Sequence, residues 1–374
     1  MAEQRSERIA VVGGGVIGLS VAWRLAADGH RIRLIDPAPA SGASHVAGGM
    51  LAPLAEAWPG EEGLLDLGSA SLARWPDFAD DLAAAARLPS GLRREGTLVV
   101  GVDSADRAEL GALADYLAGL GRGVTALTGR EARRLEPALG PSVRAALEVP
   151  GDLAVDNRAT LRALHAAASA AGVEFLAARA EEVRAGQVVL AGSTVDCDAV
   201  VLAAGAHSAE LHPLLRGRLR PVKGEILRLR ARPGALPPPR RTVRGPVRGR
   251  QTYLVPRDDG LVLGATQQEV GFDTRVTVGG VRDLIADAER LVPALAEYEL
   301  AEAVAGLRPG TEDNLPMIGE LEPGLVVATG HHRGGFLLAP ITADAVVALL
   351  RGADPPPQAR AADLRRPGGI PCTS

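Results

Sequence analysis

Arg8-Ile9-Ala10-Val11-Val12-Gly13-Gly14-Gly15-Val16-Ile17-Gly18 decides how the rest of the chain is read. Arg8–Val12 is an apolar run suited to a buried strand. Val16 to Asp28 reads as a helix, with Val16, Leu19, Trp23 and Ala26 at helical spacing and Gly29 as its stop. Arg31 to Ile35 is a second strand, closed by Asp36-Pro37. Gly13, Gly15 and Gly18 sit between the first strand and the helix. The first permits a tight turn, the second lets the backbone approach a pyrophosphate, and the third lets helix and strand pack closely. The free N–H groups and positive dipole end at Val16 and Ile17 favour an anion. Asp36 stands where a carboxylate can accept from ribose hydroxyls. A bare glycine turn would need neither the second strand nor this acid. The unit therefore predicts a dinucleotide site.

Working outward, helices are expected over 64–85 (broken at Pro76), 107–120, 158–171, 281–291 and 336–350. Strands are expected over 98–102, 173–176, 187–190, 199–203 and 325–329. A β-rich stretch between 220 and 266 has its clearest strands at 225–229, 253–256 and 261–263. The β-α pieces lie at both ends and in the middle. The expected fold class is α/β (α+β). A Rossmann-type domain with a central parallel sheet is assembled from 1–90, 150–215 and 305–355. A smaller, mainly antiparallel-sheet domain is assembled from 91–149 and 216–304. The Pro- and Arg-rich tail, 356–374, is expected to be disordered.

Composition narrows the function. The 374 residues are 47% apolar and carry a net charge of −4, so no basic field points to nucleic acid. Cys197 and Cys372 are far apart, which fits a reducing cytoplasmic compartment rather than a disulfide scaffold. The polar start, Met1 to Arg8, is not expected to be a signal peptide, and no membrane span is expected. His331-His332 are adjacent in a loop and cannot easily face one ion, so no metal is expected. Lys223 is the one lysine, which makes arginine number a poor guide and leaves each arginine to be argued from its setting.

The C-terminal strand 325–329 runs into Gly330-His331-His332-Arg333-Gly334-Gly335, after which a helix begins. A ring lying at that helix N-terminus would feel its dipole. Reduced flavin carries negative charge near N1 and C2=O, whereas nicotinamide has no use for such a site. This favours FAD. Small residues from Ser41 to Met50 suit a backbone lying along an extended ligand.

The segments GGGVIGLSVAWRLA (13–26), ASHVAGGML (43–51), TYLVPRDDGLVLGAT (252–266), AGLRPGTEDNLPMIG (305–319) and ATGHHRGGFLLAP (328–340) together resemble the D-amino-acid oxidase superfamily of flavoproteins. Within it they are most similar to the glycine oxidase branch associated with thiamine thiazole synthesis. The resemblance implies that Arg308 clamps a substrate carboxylate, as a guanidinium fork suits it to do, and that Tyr253 reaches the same carboxylate. It implies that the Arg333 carbonyl accepts from the substrate amine. On the cofactor side it implies contacts from Val16, Ile17, Asp36, Pro37, Ala43, Ser44, Gly48, Gly49, Met50 and His331 to Leu337 (His331, His332, Arg333, Gly334, Gly335, Phe336, Leu337), with a looser match at Glu181. No cysteine lies between Cys197 and Cys372, so FAD is expected to be non-covalent. Gln251 stands where some relatives carry histidine, which bears on the pocket lining.

The implied reaction is oxidation of glycine or a similar small amino acid by hydride transfer to flavin N5. Dioxygen then gives hydrogen peroxide, and the products are glyoxylate and ammonia. Thiazole synthase is the candidate partner for the imine, and a homo-oligomer is left open. D-amino-acid and sarcosine oxidases or dehydrogenases, and a nucleotide-binding protein without turnover, are the competing readings. Glu56 could face the site from the segment after Met50, but a solvated loop carboxylate is the expectation, and Asp152 and Asp156 are expected to be turn and capping residues.

Overall fold

Six strands form the first sheet, in the order Met317–Glu322, Leu325–Thr329, Ala199–Leu202, Arg8–Val12, Arg31–Ile35, Glu174–Leu176. This computed structural model describes residues 6–366. All neighbours in that sheet are parallel except the first pair. Its central strands are apolar along their whole length because both faces are covered. One face carries the helices Val16–Ala27, Glu62–Ala86, Asn157–Ala170 and Gly335–Leu350, packed into a shared core around Leu19, Trp75, Leu164 and Ile341. The other face is covered by a small sheet, Ala180–Arg184, Gln187–Leu190 and Ser193–Asp196, together with Leu211, Leu215 and Leu219. Successive connections leave the Arg8–Val12 strand in opposite directions, so a crevice opens at its carboxyl end, where Gly13 stands.

The second sheet has eight strands: Glu299–Gly310, Arg220–Arg230, Gly260–Gly264, Arg250–Arg257, Thr242–Val247, Thr97–Gly101, Ala145–Val149 and Thr125–Thr128. It is antiparallel except where Thr242–Val247 meets Thr97–Gly101. Its outer face buries Leu227, Leu254 and Leu263 against the helix Val278–Leu291. Its inner face turns toward the nucleotide crevice. The Glu299–Gly310 strand is continuous across position 305, so residues up to Gly310 belong to this sheet.

Two expectations are corrected. The helix Glu62–Ala86 runs straight through Pro76. Proline removes one hydrogen bond, at about 3 kcal/mol. Trp75 and Phe78 on either side are buried and packed edge to face with centroids 5.3 Å apart, and burial of two aromatic rings outweighs that loss. The tail is ordered as far as it is described. Pro357–Ala362 forms a 3-10 helix, Ala359, Ala362 and Leu364 are buried, and Arg366 pairs with Asp313 at 2.7 Å. Residues 367–374 of the expected disordered segment lie outside the described residues. The helix His332–Leu350 is long and apolar enough to cross a membrane by composition, but most of Phe336 to Val346 is buried in the first core.

One side chain joins the two sheets. Asn157, fully buried, donates through Nδ2 to the Ser44 and His45 carbonyls, both at 2.9 Å. Its Oδ1 accepts from Arg228 at 2.8 Å and Arg257 at 3.0 Å. Arg257 also donates to the Gly48 carbonyl at 2.9 Å. The segment 43–50 is thereby pinned between the Asn157–Ala170 helix and the second sheet.

Candidate active site

A cavity of about 1570 Å³ runs between the two sheets. Ordinary ligand clefts hold about 300–1,000 Å³, so this one has room for a dinucleotide and a small second molecule. At one end Gly13 takes φ +107°, and a Cβ there would lie 2.4 Å from the Ala203 carbonyl oxygen. A Cβ on Gly18 would lie 1.9 Å from the Gly13 oxygen, which is why helix and strand approach so closely. Asp36 accepts from the Gly14 amide at 2.6 Å and the Ala38 amide at 2.7 Å. Those bonds fix the carboxylate, and each oxygen keeps a lone pair for a ribose hydroxyl. Ser44 Oγ accepts from the Val16 amide at 3.0 Å, in front of the helix N-terminus. Glu181 falls at a register shift between Ala180 and Glu182, which frees its backbone toward the cavity.

Of the cofactor-side residues singled out above, Gly18, Gly334 and Leu337 do not line this cavity. Gly18 is spent on packing. The Leu337 carbonyl accepts from Ser71 at 2.6 Å and Trp75 at 3.1 Å, turning that residue into the core. The other residues line the cavity together, although they come from segments some 300 residues apart. His331 is buried, shares a hydrogen bond with Thr342 at 3.0 Å, and is pushed by burial down to about 3. His332 is pushed to about 3 as well, first by burial and then by Arg308 and Arg333. Both rings are neutral at physiological pH. The donors at one end and the glycine cradle at the other fit FAD.

The inner face of the second sheet supplies the remaining wall. Strand alternation puts Arg244, Tyr253, Ile226 and Arg308 on it. The Tyr253 ring lies between two glycines. A Cβ on Gly48 would come within 2.6 Å of its Cε2, and one on Gly264 within 2.4 Å of its Cζ. Burial raises the phenol above its ordinary value while the neighbouring Arg308 opposes the shift, so the hydroxyl stays protonated. Arg308 donates to the Thr266 carbonyl at 3.2 Å, and its guanidinium fills the space over Gly224. A Cβ on Gly224 would sit 2.3 Å from both terminal nitrogens. Gly224→Ala is therefore expected to displace the fork by about an ångström and lower kcat/KM for an amino-acid substrate about 100-fold, with the FAD spectrum unchanged. Unaltered steady-state kinetics would dissociate Arg308 from substrate binding.

Sequence reading missed Arg244 and favoured the wrong one of two readings for Glu56. Glu56 is not a solvated loop carboxylate. Its side chain is 17% exposed, lines the cavity, and pairs with Arg244 at 3.0 Å. Arg244 lies in the run Arg-Thr-Val-Arg-Gly-Pro-Val-Arg, which was not singled out within the β-rich stretch and forms the strand Thr242–Val247. The exposed Arg333 side chain reaches Glu61 at 3.2 Å and Glu56 at 3.9 Å. Asp156 caps the Asn157–Ala170 helix as expected.

Asp152 is wholly buried, close to Arg244 and Glu56. Burial pushes its carboxyl up to about 8, with Arg244 opposing and Glu56 adding to the shift. The unfolded chain would release this proton near pH 3.9, so the native state holds it longer and stability falls as pH rises from about 4 to 8. Asp152→Asn is neutral throughout. Its thermal midpoint is expected to gain several degrees on the parent between pH 5 and pH 8.5. Parallel pH profiles for the two proteins would exclude a buried ionising carboxyl.

A nucleotide crevice that opens directly onto a guanidinium and a phenol, with neutral histidines at the junction, defines a flavin-dependent oxidoreductase. The chain belongs to the FAD dependent oxidoreductase (DAO) family, whose model matches residues 8–349. It is thus an FAD-dependent enzyme of the amino-acid-oxidase kind. Over 346 residues it is 35% identical to a glycine oxidase of Geobacillus kaustophilus, with 89% of this chain and 90% of that protein covered. It is also 35% identical to a bifunctional ThiO/ThiG protein of Synechocystis, covering 93% of this chain but 52% of that one. The crystal structure of glycine oxidase from Geobacillus kaustophilus superposes with a TM-score of 0.89 at 32% identity, covering 97% of this chain and 100% of that one.

Proposed function

We propose that this enzyme oxidises glycine, and related small amino acids such as sarcosine, to glyoxylate with release of ammonia and hydrogen peroxide. The observation that carries the reading is the Arg308–Tyr253 wall at the end of the FAD cavity. A guanidinium fork and a protonated phenol side by side form a site for one carboxylate. The Arg333 carbonyl would accept from the amine. With both ends held, the α-carbon is fixed toward the flavin end of the cavity. FAD, when bound, supplies the acceptor for the hydrogen and electron pair that leave that carbon. Once the substrate's ammonium group has given up one proton to water, the amino lone pair assists the departure, so no strong side-chain base is needed at the α-carbon, and the two histidines near the site are neutral. The resulting imine hydrolyses. A relative named as a putative thiamine biosynthesis oxidoreductase supports a role for that imine in thiazole synthesis, the fused ThiO/ThiG relative supports a thiazole synthase as partner, and the glycine oxidase relative supports dioxygen as oxidant.

The cavity continues past Arg244 to Leu110 and Leu113, further than glycine requires. This favours a second reading, in which larger D-amino acids are also accepted. One panel tests both. The yellow holoenzyme should bleach with glycine under anaerobic conditions and yield peroxide in air with glycine, sarcosine, D-alanine or D-proline. No bleaching and no peroxide with any of the four would overturn the oxidase reading.

A further inference from the structure

The second sheet brings an acid as well as cations to the substrate end. Arg244 on one strand is the direct partner of Tyr253 on the next, so both side chains leave the same face. Arg244 Nη1 lies 3.0 Å from Glu56 Oε1. Arg333 Nε approaches that same oxygen at 3.9 Å from the opposite wall. A closed bidentate pair would occupy both carboxylate oxygens. Here both guanidiniums approach Oε1, Arg244 Nε and Nη1 make no hydrogen bond, and Glu56 lines the cavity close enough to Tyr253 to raise its phenol.

Of the other acids at this end, Asp152 is buried beside Arg244 and does not line the cavity, and two more are committed elsewhere. Glu61 uses one oxygen on Asn314 at 2.7 Å and the other on Arg333 at 3.2 Å. Glu109 is exposed and accepts from Gln251 at 3.1 Å. Arg244, Arg308 and Arg333 together would repel an ammonium group unless an anion stood among them.

We infer that Glu56, positioned by Arg244, is the counter-charge for the substrate's ammonium group, so that the pocket recognises an amino acid as a zwitterion and disfavours carboxylates lacking an amine. This rests on the assignment of the carboxylate to Arg308 and Tyr253. Arg244 acts through Glu56 and is a positioning residue.

Glycine and acetate separate the two ends of the substrate, since acetate carries the carboxylate alone. In the holoenzyme, Glu56→Gln is expected to raise KM for glycine by about 10- to 100-fold, the range for a hydrogen bond to a charged group. The competitive inhibition constant of acetate, read also by its perturbation of the flavin spectrum, should stay the same or fall. Arg308→Ala should weaken both ligands. If it weakens neither, the carboxylate assignment fails rather than the role of Glu56. An equal rise for both ligands in Glu56→Gln, or a rise for neither, overturns the inference. If Glu56→Gln does not retain FAD, Glu56→Asp decides. It keeps the charge one methylene further back, and a several-fold rise in glycine KM with unchanged acetate binding is expected. A matching loss of acetate would mean that Glu56 is merely structural.

Discussion

Arg308→Ala is expected to lower kcat/KM for glycine by two to three orders of magnitude, with most of the loss in KM. Removing one partner of a desolvated, hydrogen-bonded charge pair costs about 2–5 kcal/mol, and each 1.4 kcal/mol is about tenfold. The guanidinium is held for the task. Its strand is paired over its full length with Arg220–Arg230, Thr266 accepts one nitrogen at 3.2 Å, and Gly224 leaves its plane uncovered. Arg308→Lys should recover only part of the loss, because an ammonium cannot present two parallel donors. Steady-state rates at fixed oxygen give the numbers, and FAD content shows whether the fold has survived. Wild-type KM in the alanine variant would assign the carboxylate to another group, with Arg244 the first to examine.

The second large effect falls at the opposite end of the cavity. Gly13→Ala is expected to yield protein that purifies with little or no FAD, its affinity lowered at least 100-fold. Two penalties coincide. The backbone angle of +107° is one that L side chains avoid, at about 1–3 kcal/mol. The new methyl would also stand 2.4 Å from the Ala203 oxygen, a backbone atom of the neighbouring strand that cannot rotate aside. Overpacking of that kind costs about 1–3 kcal/mol. Absorbance at flavin wavelengths and reconstitution with added FAD measure the outcome. A yellow variant with full occupancy would show that the turn relaxes without disturbing the crevice.

The nucleotide half was legible because its signal is local. Gly13, Gly15 and Gly18 act within one turn, and the strands 187–190 and 325–329 coincide with the elements found. Tyr253 and Arg308 were singled out only through motif resemblance, since they meet in one cavity across a sheet whose pairing no short window reveals. The Thr242–Val247 strand was lost because Gly245 and Pro246 lie inside it. Gly245 has a reason that sequence cannot show: a Cβ there would lie 1.9 Å from the Val100 oxygen of the adjacent strand. With that strand went Arg244, and with Arg244 the environment of Glu56. The first part of the tail, 356–366, departs from the expectation because composition was weighed without the surface that Ala359, Ala362 and Leu364 cover. The pattern is physical: periodicity reports which face of an element is buried, but not which distant element buries it.

The order of strands in the six-stranded sheet also bears on biosynthesis. Arg8–Val12 is made well before its neighbour Ala199–Leu202, and the Leu325–Thr329 strand that leads into the turn at Gly330 comes later still. The nascent chain must carry an exposed glycine turn and unpaired strand edges through most of its synthesis. Cofactor capture is consequently a late event in the life of the polypeptide. FAD supplied only after the Leu325–Thr329 strand has been made should therefore be taken up as fully as FAD present throughout synthesis.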